Sequence, residues 1–349
     1  VNLVNPTPFF PLTKQAYLNG SDRIMLRGLK RFNRYENRIL KLAKLGKKKI
    51  KILQLGYSRK SKDDFRFPIY GLELGKQNIA GQKITGFIAG VHGLETIGIR
   101  VLFDFLEHIF YPGNESFLPE LHSGKLKLVC IPILNPAGVV FETRSNGVGV
   151  DLMRNSKIDA KKSPLFFGGH RWTPSLPYYR GKALQPESKI LFKFIKKYFY
   201  GIENSILPVL DIHSGFGTID NFWWPFAYTK EKCKDDSTYQ NLAKILRDEC
   251  FNLHVQYGPQ SESYTTHGDL WDQLYLNYQE FSEQKPTNSK FLPWTLEIGT
   301  WSDLKSDPWK ILRKRGIFNP AKVNKYTYIK NYRNLLRDFA RLALLDPNI

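Results

Sequence analysis

Two histidines and two glutamates stand at or near the carboxyl ends of apolar runs, where an open α/β sheet gathers its chemistry. Ile84–Val91 is a continuous apolar run containing Gly86 and Gly90, and His92-Gly93-Leu94-Glu95 follows it directly. A histidine and a carboxylate three residues apart at a strand-to-helix turn can face one point. Imidazole and carboxylate are both good zinc donors, and with a third ligand they leave a position for water. Among 7 histidines and 32 acids, chance alone supplies roughly 0.6 such pairs, so the pair by itself is weak. His213 strengthens it, standing at the tip of the predicted buried strand Leu207–Ile212 and before Ser214-Gly215. Glu297 lies in the otherwise apolar stretch Trp294–Ile298. An acid there is costly to bury unless it faces a polar cavity or a metal-bound water, which makes it the candidate base. Arg144 and Arg154 follow the run that ends at Leu134, and guanidinium forks suit carboxylates and oxyanions.

The elements that must position these residues are legible as periodicities. Asp22–Leu45 carries Ile24, Leu29, Phe32, Ile39, Leu42 and Leu45 near helical spacing and is predicted as an amphipathic helix. Strands are predicted over Lys49–Leu55, Phe67–Leu74, Ile84–Val91, Leu126–Leu134, Leu207–Ile212 and Trp294–Ile298. Helices are predicted over Leu94–Phe110, Ser188–Tyr200, Lys230–Cys250 and Lys325–Leu345, with Asn135–Gln185 as a loop-rich stretch. Strands alternating with helices imply an α/β fold: a mixed, largely parallel central sheet flanked by helices. Residues 1–45 read as a basic N-terminal arm and helix, and residues 46–349 as one catalytic domain.

The 349 residues are 42% hydrophobic and 14% aromatic, which excludes a disordered chain. No apolar run is long enough for a membrane-spanning helix. The net charge is +20, and Arg27 to Lys62 holds fourteen Lys/Arg against one acid, Glu36. Such a field attracts anions. No zinc finger, glycine-clamp loop or aromatic ribonucleoprotein signature accompanies it, so nucleic acid is not an expected partner. Cys130 reads as a core residue, while Cys233 and Cys250 could pair in an exported chain. The chain begins at Val1 without an apolar signal segment. A periplasmic or secreted location is expected if a signal peptide has been removed, and a cytoplasmic one otherwise.

These residues, in this order, resemble the zinc carboxypeptidase family, the carboxypeptidase A-like metallopeptidases. His92-x-x-Glu95 looks like the family's first two zinc ligands and His213 like the third. Asn135-Pro136-Ala137-Gly138 resembles the family's Asn-Pro-Asp-Gly turn, and Gly149-Val150-Asp151-Leu152-Met153-Arg154-Asn155 its Gly-Val-Asp-Leu-Asn-Arg-Asn segment. Tyr264, Gly268 and Asp272 reproduce the Tyr-x-x-x-Gly-x-x-x-Asp spacing around its substrate-binding tyrosine. The resemblance implies one zinc ion per chain, Glu297 as general base on a zinc-bound water, and Arg144 polarising the scissile carbonyl. It also implies Asp151 orienting His92, and Arg154, Asn155 and Tyr264 binding substrate. Trp271 and Asp269 become candidates for the side-chain pocket. Met153 departs from the family's asparagine, and Glu297-Ile298-Gly299 with the short spacing to Arg144 resembles the related aspartoacylase and succinylglutamate desuccinylase branch.

The expected activity is hydrolysis of an amide bond in a small peptide bearing a free carboxylate, with muropeptides among the candidates. Two alternatives stand beside it: a zinc-dependent N-acyl amino acid deacylase on the same scaffold, and a non-catalytic binding module for an anionic polymer.

Overall fold

A computed structural model describes residues 23–349 apart from 62, 63, 78, 250–253, 306, 313–315 and 321–324. The proline-bearing arm and the partner proposed for Cys233, Cys250, lie outside the described residues. In chain order the principal elements are α1 (Arg23–Gly46), β1 (Ile50–Tyr57), β2 (Pro68–Leu74), β3 (Lys83–Ala89), α2 (Thr96–Ile109), α3 (Pro119–Ser123), β4 (Leu126–Ile131) and α4 (Pro136–Phe141). Then come α5 (Pro186–Phe199), β5 (Ile206–Ser214), β6 (Asp220–Trp224), α6 (Asp236–Glu249), β7 (Val255–Pro259), α7 (Leu270–Gln284), β8 (Lys290–Ile298) and α8 (Lys325–Arg341).

The strands form one mixed sheet in the order β1-β2-β4-β3-β5-β8-β6-β7. β3 runs parallel to both β4 and β5, and β5 parallel to β8. β1, β2 and β4 pair antiparallel in turn, β6 is antiparallel to β8, and β7 is parallel to β6. Strand order reverses at β3, since β4 adds on one side and β5 on the other. The carboxyl ends of strands at such a switch point splay their loops apart and open a crevice.

Alternation along the strands sorts side chains to two cores. Phe87, Leu210 and Leu296 belong to the core beneath α1, α2, α6 and α8. Ile88, Val209 and Phe291 belong to the core beneath α5 and α7. α1 is an integral layer of the first core: Met25, Leu29, Phe32, Tyr35, Ile39 and Leu42 are buried in it, each worth about 1.5–3 kcal/mol if fully removed from water. Cys130 is fully buried in the same core, as its apolar run predicts.

Several elements go beyond the sequence expectation. β6 and β7 are five-residue strands, too short for an alternation to stand out. α7 occupies a segment read only for its site residues, although Leu270, Leu274 and Tyr278 carry helical spacing. The stretch from Asn135 to Gln185 is not wholly loop, since it contains α4 and a 3-10 turn at Leu152–Arg154.

Candidate active site

The site forms where β3, β5 and β8 end side by side. His213 and Glu297 are direct partners in the parallel β5–β8 register, so their side chains leave the sheet on the same face. His92 arrives from the loop after β3, whose last residue, Ala89, is paired with Ile212. That loop is tied down by Asn135, the N-cap of α4. Its Oδ1 accepts from Gly138 N at 2.8 Å and its Nδ2 donates to Val91 O at 3.1 Å. Gly93 permits the close approach, because a Cβ there would lie 1.8 Å from the carbonyl carbon of Gly138.

His92, Glu95 and His213 each offer a buried ligand atom, and these atoms lie within 4.8 Å of one another. Glu95 Oε1 is 2.8 Å from His92 Nδ1, Glu95 Oε2 is 3.0 Å from His213 Nδ1, and the two Nδ1 atoms are 3.3 Å apart. Two ring nitrogens cannot face each other this closely as bare acceptors; a proton or a cation belongs between them. The far nitrogen of each ring meets a fully buried aspartate. His92 Nε2 lies 3.1 Å from Asp151 Oδ1, and His213 Nε2 lies 2.8 Å from Asp211 Oδ2. Carboxylates in that place fix the tautomer and ring orientation of metal-binding histidines. The N,N,O donor set therefore fits zinc.

Burial works to raise the Glu95 carboxyl, but the two imidazoles outweigh it and hold it below the usual range. Burial likewise opposes the charge on His213, and Asp211 with Glu95 reverses the sign, raising it well above an ordinary imidazole. Glu297 shows the opposite balance. Burial and the neighbouring Glu95 push its carboxyl up to about 8 against the pull of His213 and Arg144.

A cleft of about 360 Å³ opens in front of these groups, lined also by Arg144, Met153, Arg154, Tyr264 and the rings of Phe166, Phe167, Tyr178, Phe216 and Trp301. Arg144 Nε donates to Asp151 Oδ2 at 2.8 Å, and its Nη1 to Glu95 Oε1 at 3.3 Å. Burial alone would disfavour its charge, but the two carboxylates outweigh that and hold the guanidinium protonated. Arg154 donates to the carbonyls of Phe167 and Met153 and bonds the Tyr264 side chain; among the described residues no carboxylate lies within ion-pair distance of it, although its charge acts on Asp269 and Asp151. Gly268 sits at φ +72°, where a Cβ would lie 2.0 Å from Arg154 O, so this glycine brings the Tyr264 segment against the Arg154 segment.

Three of the residues expected to bind substrate do not line the cleft. The Asn155 amide is consumed by structure, donating to Arg180 O and Ala183 O and accepting from Gln185 N and Ser188 Oγ. Asp269 is the N-cap of α7, accepting from the amides of Trp271 and Asp272. Trp271 turns into the α5/α7 core, and its Nε1 donates to Asp211 Oδ2 at 2.8 Å. Asp151 sits as expected, beside His92. Asp211 is the residue that sequence reasoning missed. Its signal was available, because a strand places residue i and residue i+2 on one face, and Asp211 is two before His213.

The profile of the zinc carboxypeptidase family matches residues 35–299. The chain belongs to that family and is a zinc metallopeptidase. No curated protein sequence matches it. Among solved structures it is similar to thrombin activatable fibrinolysis inhibitor, with TM-score 0.68 and 17% identity over 96% of this chain and 80% of that one. The bovine form of that protein, in complex with tick carboxypeptidase inhibitor, gives TM-score 0.65 and 18% identity over 90% and 96% of the two chains. Carboxypeptidase A from Helicoverpa armigera gives TM-score 0.60 and 15% identity over 88% and 72%. At such identities these likenesses speak to the fold.

Proposed function

We propose that this enzyme is a metallocarboxypeptidase that removes the terminal residue of small peptides bearing a free carboxylate, with acidic stem peptides of peptidoglycan as the natural class. The observation that carries the reading is Arg154. It is a buried guanidinium at the cleft wall, bonded to backbone carbonyls and to the Tyr264 side chain with no carboxylate in ion-pair distance among the described residues, so it can take the carboxylate of a substrate. His92, Glu95 and His213 would hold one zinc ion, which when bound would supply Lewis-acid polarisation of a carbonyl and a more acidic water.

The chain's own residues supply the rest. Glu297 takes a proton from the attacking water and returns it to the leaving amine, general-base and then general-acid work for one carboxyl. Arg144, fixed by Asp151 and Glu95, offers positive charge to the oxyanion that develops at the scissile carbonyl. Tyr264, packed among Phe167, Phe216 and Trp223 in the cleft lining, offers its ring and hydroxyl to the peptide. The net charge of +20 supports an acidic peptide through steering.

The test compares peptides with free and amidated termini, beside N-acyl amino acids. The expected result is cleavage of free-carboxylate peptides, with KM raised about 10- to 100-fold in Arg154→Ala, the loss of a charged hydrogen-bond partner. Equal cleavage of amidated peptides, or preference for N-acyl amino acids, would overturn the proposal.

A further inference from the structure

Five of the eleven exposed large hydrophobics among the described residues fall within Leu165–Leu176, a loop at the mouth of the cleft. Leu165 is 79% exposed and Trp172 59%. Apolar side chains this exposed and this clustered mark a contact surface. The loop is also built to hold them outward. His170 is stacked between Phe166 and Trp172, with ring centroids 5.7 and 4.8 Å apart and interplanar angles of 14° and 16°. Its Nε2 donates to Pro177 O at 2.8 Å, and Gly168 N donates to Pro164 O at 3.1 Å. A surface held in its contact conformation loses little entropy on docking.

Charge identifies what the surface meets. Lys157, Lys161, Lys162, Arg171 and Lys182 are exposed on or beside this loop. Asp159, the single acid between residues 157 and 182, is paired with Arg180. We infer that this loop docks the enzyme on an anionic lipid bilayer, with Leu165 and Trp172 entering the headgroup region and the lysines and arginines meeting the anionic headgroups. A tryptophan and leucines flanked by cations match a boundary where an apolar interior lies behind a negatively charged layer. A soluble polyanion would use the cations and leave Leu165 and Trp172 in water. Phe166 and Phe167 also line the cleft, so docking brings its mouth to the membrane surface, where peptides attached to lipid are presented.

The test is co-sedimentation of the full zinc-loaded chain with vesicles of equimolar phosphatidylglycerol and phosphatidylcholine, and with phosphatidylcholine alone. The expected result is binding to the anionic vesicles, weakened about 10-fold or more in Leu165→Asp, since the buried apolar contact is lost. Trp172→Asp should weaken it by a similar factor. Leu165→Asp should cleave a short soluble peptide as the wild type does, since this side chain lines no part of the cleft and that assay reports folding. Lys161→Glu with Lys162→Glu should weaken binding and flatten its salt dependence. No binding to either vesicle, or binding to anionic vesicles or to a soluble polyanion that the Leu165 and Trp172 variants leave unchanged, would overturn the inference.

Discussion

The two halves of the site are held by different means. His92 and Glu95 ride on a loop, and ion pairs fix them: Asp151 reaches His92 and Arg144 together, and Arg144 reaches on to Glu95. His213 and Glu297 ride on adjacent strands, and the β5–β8 ladder fixes them before any side-chain bond forms. On that side the aspartate behind the histidine, Asp211, takes a neutral donor, the indole of Trp271, where Asp151 takes a guanidinium. A loop has no ladder to hold its register, so the Asn135 amide and the ion pair of Arg144 with Asp151 do it together. A strand pair has one, so a single neutral hydrogen bond suffices.

Variants can break this comparison in order of size. Glu297→Gln should lower kcat by about 10²- to 10⁴-fold with zinc still bound, because only the proton transfer is lost. The same variant exposes the cost of the buried acid. The wild-type carboxyl, pushed up to about 8, stays protonated on folding between its ordinary 4.5 and about 8, whereas the unfolded chain releases the proton. The metal-free wild type should therefore lose Tm relative to Glu297→Gln as pH rises through that window, and the gap should level off above it.

Asp151→Asn comes next, with zinc affinity expected to fall about 100-fold, since one substitution releases both His92 and Arg144. Asp211→Asn should cost about 10-fold in zinc affinity, because the strand still delivers His213 to its place. Competition titrations with a chromophoric chelator measure both. Equal losses in the two variants would remove the distinction between loop and strand. Trp271→Phe should have the smallest effect, about 1 kcal/mol of stability in denaturant melts and a few-fold in zinc affinity.

The legible parts of the site share one property. His92, Glu95, His213 and Glu297 are polar residues at or near the ends of apolar strands, where burial demands a reason. Spacing along the chain carries that signal without knowledge of the fold. Asn155, Asp269 and Trp271 stand outside the cleft lining, a direction that position in the sequence does not give. Asp269 faces the first amides of its own helix, and Trp271 points back into the core. Asp211 lies inside a segment read only as a buried strand, although period-two alternation puts it on the face of its histidine. The sheet itself was legible wherever a strand reached six residues, and the five-residue strands β6 and β7 at one end of the sheet were not.

Three side chains from two separate stretches of chain are placed to hold one metal ion beside Glu297. Metal analysis of the purified, zinc-replete protein after exhaustive dialysis tests this most directly. One zinc per chain in the wild type, lost in both His92→Ala and His213→Ala and kept in Glu297→Gln, is the predicted result. A wild type that carries no zinc, or histidine variants that keep it, would contradict the account.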